Sequence, residues 1–196
     1  MSDPEQPILN IDGELVSLGP LRREDIPLYQ RWINDFGTSR MIGFSAGPMT
    51  LEQETAWYDG AATGQYTFAI YERATGCAIG SCGLHEIEWP NRRTTVGIMI
   101  GEPEARGRGY GTEAMRLLVD YAFTAVGLHS VMLWVYEFNA AARRCYEKVG
   151  FREVGRRRES RWFNGRFWDE IAMDILASEF ESPVLKAMLE PDRPRA

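Results

Sequence analysis

The spacing of apolar positions along this chain switches repeatedly between alternation and helical recurrence. A short strand is predicted near Glu14–Leu18, then a helix over Arg23–Phe36 in which Leu28, Trp32 and Phe36 recur every four residues, with Gly37 ending it. The stretch Thr38–Pro48 carries Gly43, Gly47 and Pro48 without periodicity and reads as a loop. Thr50 followed by Gln53 has the pattern of a capping box and opens a second helix that contains Trp57. Tyr66–Tyr71 and Ala78–Glu88 form a predicted hairpin around Ala74-Thr75-Gly76, and Trp89–Arg92 turns the chain into a strand over Thr95–Ile100. Met115, Leu118, Val119, Ala122 and Phe123 give an amphipathic helix over Gly109–Val126 that Gly127 ends. Ser130–Tyr136 is a continuous apolar strand reached by a crossover, and Asn139 opens a helix to Val149 with Gly150 as its stop. A hairpin of Arg152–Phe163 and Phe167–Leu176 turns at Asn164-Gly165, and a helical tail is predicted from Ser178.

Composition narrows this picture. At 196 residues, 44% hydrophobic and 26% charged, the chain has the size and apolar content of one compact domain. No run approaches a membrane span, and the opening MSDPEQP has neither a basic n-region nor an apolar h-region, so a cytoplasmic protein without membrane contact is expected. Cys77, Cys82 and Cys145 have no metal-binding spacing and read as reduced, buried thiols; no metal is expected. The net charge of −6 speaks against nucleic acid as a partner and favours cationic ones. Arg156, Arg157, Arg158, Arg161 and Arg166 nevertheless crowd one segment, which reads as a solvated strand face beside acidic neighbours.

The candidate chemistry begins with Arg106-Gly107-Arg108-Gly109-Tyr110-Gly111-Thr112, a glycine-rich turn between a strand and a helix. Such a turn presents free N–H groups and the positive end of the helix dipole to an anion. It lacks the Lys-Ser/Thr pair of a Walker loop, and its glycines are too close together for a dinucleotide fingerprint.

With Arg106, Gly109 and Gly111 in place, the turn resembles the signature of the GNAT superfamily of N-acetyltransferases. Asn139, Tyr146 and Gly150-Phe151 resemble that family's second motif, in the same order and spacing. The likeness is closest to the branch containing ribosomal-protein N-terminal acetyltransferases and spermidine N-acetyltransferases. It implies an α/β (α+β) single-domain GNAT fold: a mixed, mostly antiparallel sheet of about seven strands, splayed parallel strands in its middle, and about four helices. The GNAT domain would span residues 1–176, with 177–196 as the tail.

The resemblance also implies acetyl-CoA as co-substrate, held by Arg106, Gly107, Arg108, Gly109, Tyr110, Gly111, Thr112, Asn139 and the backbone of Ile98, Met99 and Ile100. Asn139 reads equally as a helix N-cap. The acceptor would be a small polyamine-like amine or a peptide N-terminus, with an antibiotic amine as an alternative and an idle acyl-CoA-binding or sensor domain as the rival. Tyr146 would protonate the departing thiolate. Glu86 or Glu88, assigned to one strand face with His85 opposite, would take the amine's proton, directly or by a water chain reaching Glu102. Where many relatives carry a glutamate beside the central strand, this chain has Thr95. The first helices, with Trp32, Phe44, Trp57 and Tyr58, and the late hairpin, with Trp162, Phe163 and Trp168, are where the family forms its acceptor pocket; most of these aromatics are expected in the core and two or three in the pocket wall. The branch further implies a homodimer or larger homo-oligomer.

Overall fold

A computed structural model of the chain describes residues 7–43, 47–64 and 66–191. Eight strands form one sheet in the order β1-β2-β3-β4-β5-β6-β8-β7. Their ranges are β1 Ile11–Asp12, β2 Val16–Gly19, β3 Thr67–Glu72, β4 Ala78–Glu88, β5 Arg93–Ile100, β6 Ser130–Tyr136, β7 Arg152–Phe163 and β8 Arg166–Leu176. Every neighbouring pair is antiparallel except β5 and β6. The strand beyond the expected seven is β1, a two-residue element too short to leave a periodic signal.

The first predicted helix is divided. A 3-10 turn over Arg23–Asp25 leads into α1, Ile26–Asn34, and then Asp35 becomes extended (φ −76°, ψ 115°). Its carboxylate accepts from the amides of Gly37 and Thr38, starting a short helix α2 over Phe36–Ser39. Gly37 is therefore inside a helix rather than ending one, because a side-chain cap outcompetes continued α1. The capping box at Thr50 and Gln53 opens α3, Leu51–Thr63, as read from the sequence.

Helix α4, Tyr110–Asp120, buries Ala114, Met115, Leu118 and Val119 completely against the sheet. It continues as a π-helical turn, Tyr121–Ala125, before the glycine stop. Asp120 at the junction is fully buried, accepting from Thr124 Oγ1 at 2.7 Å and from the amides of Val184 and Leu185 at 3.1 and 2.9 Å. This carboxylate ties down the C-terminal segment, which is a 3-10 turn at Ala177–Glu179 and a one-turn helix α6, Leu185–Met188, instead of a continuous helix from Ser178. Pro183 also interrupts any such helix. Helix α5, Ala140–Val149, ends at Gly150 (φ 117°) as expected. The late hairpin turns at Asn164 and Gly165, both at positive φ.

Of the three cysteines only Cys82 is fully buried; Cys77 is exposed on the turn before β4 and Cys145 is half-buried on α5. The uniform burial read from composition fails because Cys77 sits at a hairpin turn, where either face meets water. Among the described residues no helix is long and apolar enough to cross a membrane.

Candidate active site

The parallel pair is short. Register holds for Arg93↔Ser130, Thr94↔Val131 and Thr95↔Met132, after which β5 and β6 separate. A cleft of about 880 Å³ opens there, lined by β5 from Thr95 to Ile100, by Trp134–Tyr136 of β6, by α5 and by α2 with the turn after it. Ile98, Met99 and Ile100 pair with β4 on one side, and on the side toward β6 their backbone borders the cleft. Ile100's carbonyl is already taken, since Arg106 Nε donates to it at 3.1 Å.

At one end of the cleft lies the glycine-rich turn. Gly107 and Gly109 have φ of 72° and 90°, and a Cβ on Gly107 would meet nothing within 4 Å. Gly109 caps α4; the amides of Thr112 and Glu113 return to its carbonyl, while those of Tyr110 and Gly111 have no partner among the described residues. Glu113 anchors the helix start by accepting from the amides of Glu14, Leu15 and Val16 at 2.7–2.9 Å. The result is a helix start of fixed geometry with two free amides, the arrangement an anion site needs.

Two expected cofactor contacts turn away from it. Arg108 Nη1 lies 3.3 Å from Glu72 Oε1, and the Tyr110 hydroxyl donates to the same oxygen, so only their backbone faces the turn. Arg106 also serves the scaffold, its Nη2 donating to Thr38 Oγ1 at 2.5 Å and to the Gly101 carbonyl at 3.1 Å. Thr38 Oγ1 in turn donates to Asp35 at 2.6 Å, and this bond, before the Arg106 charge, holds the Asp35 carboxyl below its ordinary range. A polar chain therefore locks α2 onto the glycine-rich turn.

Asn139 is the N-cap read for it, its Oδ1 accepting from the Ala142 amide at 3.2 Å, and the residue also lines the cleft. Tyr146 is 8% exposed, packs edge-on to Phe151 and lines the cleft. Burial pushes its phenol well above the ordinary value, so the hydroxyl keeps its proton. Cys145 beside it accepts from Thr112 Oγ1 at 3.4 Å.

The acidic strand end departs from simple alternation. Glu86 is at φ 51°, and the β4–β5 register slips between His85 and Glu88. The bulge brings His85 and Glu86 to the cleft together, so the opposite-face assignment of His85 fails. Glu88 falls outside the cleft, bound by Arg93 and Asn91. Thr94 Oγ1, at 2.7 Å, and Thr95 Oγ1, at 3.3 Å, donate to the His85 carbonyl and hold the bulge. Desolvation by the cleft walls lowers the His85 pKa against the opposing pull of Glu86. Glu102 is tied to Arg31 and to Trp32 Nε1 and does not line the cleft.

The aromatic expectations are mostly displaced. Trp32 is core at 2% exposure, Trp57 packs edge-on to Tyr29, and Tyr58 donates to the Leu21 carbonyl. Phe44 lies outside the described residues. Phe163 and Trp168 pack around Phe138, which stacks on Tyr136, while Trp162 pairs with Phe167 at the surface. Besides Tyr146, the aromatics in the cleft wall are Trp134 and Tyr136, joined by Glu170, and sequence reasoning assigned none of these three to the acceptor pocket. Arg157 sits 4.4 Å over Trp134 and donates to Glu170 at 2.9 Å; Arg161 sits 5.5 Å over Tyr136. The alternation of β6 and β8 carried the signal, but it does not say which face borders a cleft.

The family model described as an acetyltransferase (GNAT) domain matches residues 16–152, from the first residue of β2 to the first of β7. This chain is a GNAT acetyltransferase. The spermidine N(1)-acetyltransferase of Vibrio cholerae serotype O1 is 35% identical over 111 residues, 57% of this chain and 64% of that protein. The spermidine N(1)-acetyltransferase of Escherichia coli K12 is 29% identical over 165 residues, 84% of this chain and 88% of that one. A crystal structure of the V. cholerae spermidine N-acetyltransferase in complex with CoA and spermine aligns with a TM-score of 0.77 at 27% identity, covering 85% of this chain and 98% of that one. The GNAT match contains the glycine-rich turn, the diverging strands and Tyr146, and leaves Glu170 outside it.

Proposed function

We propose that this chain transfers the acetyl group of acetyl-CoA to a primary amine of a small polyamine-like acceptor. The observation that carries the reading is the divergence of β5 and β6 beyond Thr95 and Met132, with a glycine-rich helix start at one end and a buried Tyr146 in the wall. The amides of that helix start cradle the pyrophosphate, and the edge of β5 that faces away from β4 lies along the pantetheine arm and polarises the thioester carbonyl. Likeness to a spermidine N-acetyltransferase seen with CoA and spermine supports both the donor and the acceptor class.

An aliphatic amine near ~10.4 arrives protonated and must lose a proton before it attacks. His85 and Glu86, side by side at the bulge, are placed to receive it: Glu86 attracts the ammonium, and a His85 held neutral at pH 7 accepts the proton, directly or through water. The amine nitrogen then bonds to the acetyl carbon, the C–S bond breaks, and Tyr146 gives its phenolic proton to the departing sulfur. The second proton of the attacking nitrogen passes through water to the tyrosine oxygen, which leaves a neutral amide, a free thiol and a restored phenol. Acceptor specificity comes from Glu86, Glu170 and the rings of Trp134 and Tyr136.

Thiol release from acetyl-CoA, followed against polyamines, aminoglycosides, amino acids and N-terminal peptides, tests the assignment. Turnover with spermidine and spermine above the other classes is expected. A preference for peptides or aminoglycosides would overturn the acceptor, and acetyl-CoA binding without turnover on any amine would point to an idle domain.

A further inference from the structure

The phosphate turn accounts for one anionic group of CoA, but α5 carries two cations at the cleft that this role leaves unused. Arg144 and Lys148 stand four residues apart on the cleft-lining side of α5. They flank Cys145, which the Thr112 hydroxyl ties to the first turn of α4, so both lie close to the anion cradle. Neither is paired with a carboxylate among the described residues. Their neighbour Arg143 is neutralised twice, by Glu147 at 3.0 Å and Glu153 at 3.1 Å. Like charges at this helical spacing repel, and α5 spends its acidic residue on Arg143 instead of relieving them. Lys148 gains from the helix C-terminus, but Arg144, mid-helix, does not.

Direction identifies the ligand group. On α5, Arg144 and Lys148 each lie two residues from Tyr146, about 200° around the helix. Tyr146 is buried in the cleft wall where the thioester reacts, whereas Arg144 and Lys148 are exposed at the rim of the same cleft, beside Cys145 and the cradle. CoA is extended, with its thioester at one end, its pyrophosphate in the middle and its 3′-phosphorylated ribose at the other. With the first two placed, the third emerges where the cations stand. We propose that Arg144 and Lys148 bind the 3′-phosphate of CoA and make this protein select CoA over 3′-dephospho-CoA. The inference rests on the reading of the cleft as an acetyl-CoA site.

The test is calorimetric titration of the full chain with CoA and with 3′-dephospho-CoA at low salt. Two exposed ion pairs to a dianion correspond to a preference of about tenfold for CoA, one that shrinks as salt is raised to ~0.5 M. The double variant Arg144→Gln with Lys148→Gln should bring the preference below about twofold while keeping the parent affinity for 3′-dephospho-CoA, which also shows that it is folded. Arg143→Gln removes charge from the other side of α5 and should leave the preference intact. Equal binding of the two ligands by the parent, or a preference that survives in the double variant, would overturn the proposal and leave the acetyl-CoA reading standing. Binding of neither ligand by the parent would overturn both.

Discussion

Replacing Gly109 by alanine and by glutamate separates backbone strain from charge at the phosphate turn. The residue sits at φ 90° and ψ −14°, where a side chain costs about 1–2 kcal/mol. A Cβ there would meet only Leu15 Cδ1 at 3.5 Å, an ordinary contact, so Gly109→Ala adds strain without a clash. For a chain of this size that cost lowers Tm by about 2–8 °C. Because the strain is present with and without ligand, affinity for CoA should change less than about threefold. Gly109→Glu has the same strain and adds a carboxylate facing the site of the pyrophosphate. Two unit charges about 4 Å apart at an effective dielectric of 20 repel by about 4 kcal/mol, and a side chain turned outward feels roughly half of that. The loss of affinity is therefore about 30- to 1,000-fold. Calorimetry with CoA, alongside thermal melts of both variants, checks the pair. If Gly109→Glu bound CoA within about threefold of Gly109→Ala, the pyrophosphate would not lie at this turn.

Tyr146→Phe removes one hydroxyl from the cleft wall and should lower kcat by about 10²- to 10⁴-fold with CoA binding preserved; a loss below about threefold with chemistry rate-limiting would make Tyr146 a packing residue. Arg157→Gln frees the Glu170 carboxylate and one face of Trp134, so KM for a polyamine should fall about two- to fivefold, and an unchanged or raised KM would remove Glu170 from acceptor binding. Glu54 on α3 is 5% exposed, and burial raises its pKa above the usual 4.5. The folded state then binds this proton more tightly than the unfolded chain, so the group's stability contribution falls as pH rises past 4.5 through the folded pKa. Glu54→Gln should accordingly raise Tm at pH 7, with the gain vanishing as melts are taken down to pH 4.5; a lower Tm at pH 7 would mean that Glu54 has a native partner.

Much of this site was legible before any coordinates. The glycine-rich start of α4 and Asn139 as the cap of α5 follow from spacing, because neighbouring residues dictate that backbone geometry, whereas the interest of Tyr146 comes from the resemblance to the GNAT superfamily. What escaped was non-local. Alternation along β4 placed Glu86 and Glu88 together, and the bulge that separates them is held by Thr94 and Thr95 from the next strand. The division of the first helix hinged on a single side chain, Asp35, whose competing cap does not alter the apolar period. Trp134, Tyr136 and Glu170 alternate as any half-buried strands would, and only the departure of β5 from β6 makes their face a cleft wall. Composition likewise could not foresee that Arg108 and Tyr110 converge on Glu72 and turn away from the phosphate turn.

The account's central claim is that one cleft brings acetyl-CoA and a polyamine amine together for direct transfer. It is tested most directly by mixing the protein with acetyl-CoA and spermidine and measuring the released CoA thiol together with the mass of the amine product. The prediction is one monoacetylated spermidine for each thiol released, with both signals lost together in Gly109→Glu. Thiol release that is independent of added amine, or CoA binding with no acetylated polyamine formed, would contradict it.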